Sequence, residues 1–113
     1  MSEAARTIAL FAVAGLLEVG GGYLVWRSLR ADAGVLAFVV GSVAVVGFAV
    51  VLTRLDGVAF GRVFAAYGGV FVVMSLLWGW GVDGRRPDAF DWIGAAVILV
   101  GVGVLFFAPR SGV

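Results

Sequence analysis

The stretch TIALFAVAGLLEVGGGYLVW, residues 7–26, decides the fold. It carries no cation and a single acid, Glu18. A helix rising 1.5 Å per residue needs roughly 20 such residues to cross the hydrocarbon core of a bilayer. Three further stretches qualify, about 34–53, 60–82 and 89–108. At that depth no water satisfies the backbone, so a spanning segment must be a helix or part of a closed barrel; runs this long and evenly apolar fit helices. The expected fold is all-α, an integral membrane protein with four transmembrane helices in an up-down bundle and a single membrane domain over 1–113. The connectors are short and polar: Arg27 to Asp32, Arg54 to Gly57, and Asp83 to Asp88. Short connectors make neighbouring helices antiparallel and put both termini on one side.

Composition agrees. Of 113 residues, 63% are hydrophobic and 13% charged, against about half and about a quarter in soluble domains. A soluble fold this apolar would aggregate. The net charge of +1 is spread along the chain, so no nucleic acid is expected as a partner. Cysteine and histidine are absent, which removes disulfides, thiolate metal sites and the commonest general base. No cofactor is expected, and one mid-membrane acid offers no catalytic constellation, so an enzyme is not expected either. The first stretch is longer than a signal-peptide core and precedes three similar ones, so it is read as a span rather than a cleaved leader. No lipidation signal is visible.

Orientation is the informative failure. The face with the termini holds Arg6, Arg54 and Arg110, with Arg62 at the start of the third stretch; the opposite face holds Arg27, Arg30, Arg85 and Arg86. The positive-inside rule finds almost no bias between them. Either a single arginine or an insertion factor decides, or the chain inserts both ways and pairs with its inverted copy. The tryptophans Trp26, Trp78, Trp80 and Trp92 all fall near the face opposite the termini, as an interfacial aromatic belt would. A substrate cage is the rarer use of such residues.

Glu18 lies one or two residues past the middle of its stretch, within roughly 3 Å of the bilayer centre. An acid there costs on the order of 2–3 kcal/mol to insert, so such residues usually face the protein interior and serve a function. The bland alternative is a protonated carboxyl that hydrogen-bonds between helices, worth about 1 kcal/mol. A carboxyl in low dielectric holds a proton or a cation, but not comfortably both. If the two compete for one site that faces each side in turn, a proton gradient can drive a cation outward. The acids Glu3, Asp32, Asp56, Asp83, Asp88 and Asp91 fall at helix ends or in loops, where solvated charge is ordinary.

Small residues supply the setting. Gly20, Gly21 and Gly22 follow Glu18 and let a backbone or ligand approach. Ala65, Gly68 and Gly69 form a small-residue face, with Ala65 and Gly69 in the spacing that favours close crossing. Gly94 and Gly101 lie two turns apart on one stripe, suited to packing against an identical helix. Each of these alone could be ordinary lipid-phase packing.

At these residues the chain resembles a known group. Gly61 to Phe71, and Val82-Asp83-Gly84 with Asp91 to Ala95, closely resemble the YnfA-like family of small bacterial inner-membrane proteins, over nearly the whole chain. More distantly, the chain is similar to the small multidrug resistance transporters. Glu18-Val19-Gly20-Gly21 matches their glutamate-centred motif, Tyr67 to Val70 falls where they carry a tryptophan and a flexible Ser-Gly-Val-Gly stretch, and Gly94 with Gly101 reproduces the glycine spacing of their dimerising helix. Tyr67, Phe71 and Trp26 depart from that pattern.

The resemblance implies a prokaryotic inner-membrane location and an antiparallel homodimer of dual topology. It implies proton-coupled efflux of small organic cations, with Glu18 binding protons and substrate. Tyr67, Phe64 and Trp78 are the candidate aromatic walls for the cation. The expected partners are therefore a second copy, the lipid bilayer, protons and a small organic cation. The competing reading is a non-transporting membrane protein with a structural or assembly role.

Overall fold

The computed structural model describes residues 2–55 and 59–109; Asp56, Gly57 and Arg110, named above, lie outside them. The described residues form four helices and no strand: α1 (Glu3–Arg30), α2 (Val35–Leu52), α3 (Phe60–Gly81) and α4 (Ala89–Phe107). The first three are each long and apolar enough to cross a membrane. α4, with 19 residues, rises about 28 Å, within the range a crossing needs. α1 extends beyond its apolar stretch at both ends. The Ser2 hydroxyl accepts from the Ala5 N–H at 3.1 Å as an N-cap. Glu3 stands in the first turn and Arg27 and Arg30 in the last, the signs that the helix dipole favours.

The chain divides into two compact units, one holding α1 and α2 and the other α3 and α4. In the first, the helices pack antiparallel. Gly21 lies on Gly41, Leu17 faces Gly47, and the Arg6 guanidinium donates from Nη2 to the Arg54 carbonyl at 2.8 Å. The buried positions are Ala14, Gly15 and Gly21 of α1 and Gly41, Phe48 and Leu52 of α2. Closest approach is at the glycine pair. A methyl built on Gly21 would lie 2.6 Å from the Gly41 carbonyl oxygen, and one on Gly41 would lie 2.6 Å from that of Gly21. Between helices in lipid the hydrophobic effect gives little, so this close fit is what holds them.

In the second unit α3 buries Val63, Ala66, Tyr67 and Gly69. Gly69 lies against Leu99 and Val102 of α4, where an added methyl would sit 2.8 Å from Val102 Cγ2. Trp80 meets Trp92 edge to face at 6.4 Å, so this pair of helices is antiparallel too. Asp88 and Asp91 open α4 with a reciprocal capping box: the Asp91 N–H donates to Asp88 Oδ1 at 2.8 Å and the Asp88 N–H to Asp91 Oδ2 at 3.0 Å. Within α4, Ala95 is buried and most other side chains are exposed.

Candidate functional site

Glu18 stands slightly past the middle of α1 and is half-buried. Its neighbours one turn away on the same helix are Ala14 and Gly15 before it and Gly21 and Gly22 after it. None of these four has a side chain larger than a methyl, so none of them can cover the carboxyl. The two glycines on its C-terminal side differ. Gly21 is closed against α2, whereas nothing lies within 4 Å of where a Gly22 side chain would begin. Glu18 therefore stands beside the α1–α2 seam, one turn before the closed Gly21 and the open Gly22. Among the described residues, no hydrogen bond or ion pair engages it. A carboxyl so placed can take a proton, or pair with a cation that brings its own apolar surface.

Gly41 completes this seam and was not among the sequence candidates. The signal was a glycine in a valine-rich run, Val39-Val40-Gly41-Ser42-Val43, where lost bulk implies close backbone approach.

The aromatic candidates lie in the other unit. Tyr67 is 3% exposed and its hydroxyl is buried. Phe64, one turn earlier, is half-buried and stacks on Phe60 at 4.3 Å with a 36° tilt. Trp78 follows Tyr67 by three turns on nearly the same face, about 16 Å further along α3. Phe64 and Tyr67 thus share one level of the helix, and Trp78 occupies another, close to its end. Of the small-residue candidates, Gly69 is packed on α4, Gly68 meets nothing within 4 Å, and Ala65 is exposed. Gly94 and Gly101 are exposed and likewise meet nothing within the chain.

Comparison with known proteins agrees over nearly the full length. The family model described as "Uncharacterised BCR, YnfA/UPF0060 family" matches residues 4–111. A UPF0060 membrane protein of Desulfitobacterium hafniense is 52% identical over 102 residues, covering 90% of this chain and 94% of that one. The UPF0060 membrane protein YfjF of Bacillus subtilis is 50% identical over 105 residues, with 93% and 96% covered. A UPF0060 membrane protein of Kineococcus radiotolerans is 51% identical over 105 residues, with 93% and 95% covered. No solved structure matches the chain.

Proposed function

The chain belongs to the YnfA/UPF0060 family of membrane proteins, and from that premise we propose that it exports small organic or hydrophobic cations in exchange for protons. The observation that carries this reading is Glu18: a half-buried acid near the middle of α1, without a protein partner among the described residues and with only alanine and glycine one turn away on its own helix. A structural carboxyl would be expected to donate its proton to a neighbouring helix. A transport carboxyl needs the opposite, a reachable position whose occupant can be exchanged.

The four helices act as one membrane domain of a prokaryotic inner membrane. They are too few to enclose a pathway with two gates, so the working unit is a homodimer. An inverted partner places two Glu18 carboxyls about a two-fold axis near the midplane, where transporters bind substrate and alternate its access. Phe64, half-buried and less than two turns from the middle of α3, supplies an aromatic face for the cation, whereas Tyr67 is buried and can join it only if α3 is uncovered during transport. Trp78, nearer the helix end, faces it on entry or exit. Protonation of Glu18 on one side releases the cation there, and deprotonation on the other readmits it.

Flux of a candidate cation into proteoliposomes at two pH values tests this directly. Wild type is expected to transport with a pH dependence, and Glu18→Gln to fold and dimerise but lose it. Equal flux from both proteins would end the proposal. A reporter fused to the C-terminus is expected to be active on both sides of the membrane; a one-sided signal would remove the inverted partner but leave Glu18 in place. The exposed glycine stripe of α4 favours a second reading, in which the chain only assembles with other components. There, Gly94→Leu or Gly101→Leu would abolish the phenotype and Glu18→Gln would not.

A further inference from the structure

At the corner between α1 and α2 lies a groove of about 350 Å³ lined by Ser28, Leu29, Asp32, Gly34, Val35 and Phe38. Its walls are apolar, and Leu29, Val35 and Phe38 are all exposed. One formal charge lines it, the Asp32 carboxylate. Arg27 and Arg30 are close in sequence and are its natural partners, yet neither pairs with it among the described residues. Both are drawn back along α1 by the rings one turn below them. The Arg30 guanidinium lies 4.7 Å from the centre of the Trp26 ring, and that of Arg27 lies 5.9 Å from the Tyr23 ring. At 100° per residue these two arginines emerge on the side of α1 away from Ser28 and Leu29. The corner is therefore two-faced, with its cations on one side and an exposed carboxylate, unpaired among the described residues, beside apolar side chains on the other.

The local backbone agrees with a built corner. The Ala31 and Ala33 N–H groups both donate to the Arg27 carbonyl, at 2.9 and 3.1 Å, and Asp32 between them has φ 53° in the left-handed region. That turn points the chain from α1 into α2 and leaves the Asp32 side chain on the groove wall.

We propose that this groove binds a small organic monocation at the end of the helices, as a surface site separate from Glu18. A carboxylate, an aromatic ring and apolar walls together complement a charge wrapped in hydrocarbon, and complement neither an anion nor a bare metal ion. The volume suits a compact quaternary ammonium. The site rests on the export reading only for its purpose, which is to concentrate substrate beside the pathway; binding itself does not depend on Glu18.

The test uses the full chain in zwitterionic-lipid nanodiscs, with benzyltrimethylammonium as the probe and empty nanodiscs as the blank. In Glu18→Gln, which removes the midplane carboxylate, the probe is expected to keep a saturable site, with nuclear Overhauser contacts from its methyl protons to the Phe38 ring. Adding Asp32→Asn is expected to weaken that site about fivefold, the range of one partly exposed ion pair. Asparagine tolerates the left-handed backbone at this position, so the corner keeps its shape. The neutral isostere neopentylbenzene is expected to bind alike with and without Asp32. Absence of the Phe38 contact, unchanged affinity in Asp32→Asn, or an equal loss for the neutral isostere would each overturn the site. None of those results touches the flux difference between wild type and Glu18→Gln, so failure here is distinct from failure of the export reading.

Discussion

The two helical pairs solve the same problem differently. α1 and α2 meet backbone to backbone at Gly21 and Gly41 and are tied again where Arg6 reaches the Arg54 carbonyl. α3 and α4 meet through Gly69 against two branched side chains and through a tryptophan pair, and α4 leaves Gly94 and Gly101 uncovered. A helix pair in lipid has only shape and polar contacts to hold it. The pair that carries the acid is closed by contacts of its own, whereas the second keeps a small-residue stripe free.

Four substitutions test that contrast, each read by an unfolding titration in mild detergent. The largest effect is expected from Gly41→Ala, because the new methyl runs into a carbonyl that cannot step aside; about 1–3 kcal/mol of stability should be lost. Asp88→Ala removes one half of the α4 capping box and should cost about 1 kcal/mol. Gly69→Ala should cost less than Gly41→Ala, on the order of 0.5–1 kcal/mol, because Val102 and Leu99 can rotate away and the helix gains an alanine. The same change at Gly101 should have the opposite sign, a gain of up to roughly 0.5–1 kcal/mol from helix propensity. If Gly41→Ala proved neutral, or Gly101→Ala as harmful as Gly41→Ala in a monomer, the contrast would be void. If Gly101→Ala stabilised the monomer but weakened a dimer, the open stripe would be the dimer contact.

Much of this was legible before any coordinates. The four apolar runs mark the helices because the length of a crossing is set by the bilayer, a constraint that acts residue by residue. The place of Glu18 slightly past the middle of α1 follows from the same counting. Helix ends were less legible: α1 continues to Glu3 and Arg30 because charged and capping residues extend a helix past the lipid-facing part that hydropathy detects. The glycines were legible as candidates but not as contacts. Gly68 and Gly69 are adjacent in the chain and point about 100° apart, so only their rotation about the α3 axis decides which one meets α4. Gly41 looked like a gap in a valine run until Gly21 was seen against it.

By itself, then, the sequence determined that this chain is a membrane protein of four helices, to which family it belongs, and that an acid lies midway along the first. Those properties depend on composition and spacing within single segments. Which glycines touch, which face of α1 carries Glu18, and that Asp32 is left without Arg27 or Arg30 were decided only in three dimensions. The reason is that contact between helices depends on their mutual rotation and register, and these emerge from the sum of many weak packing contacts that no one segment encodes.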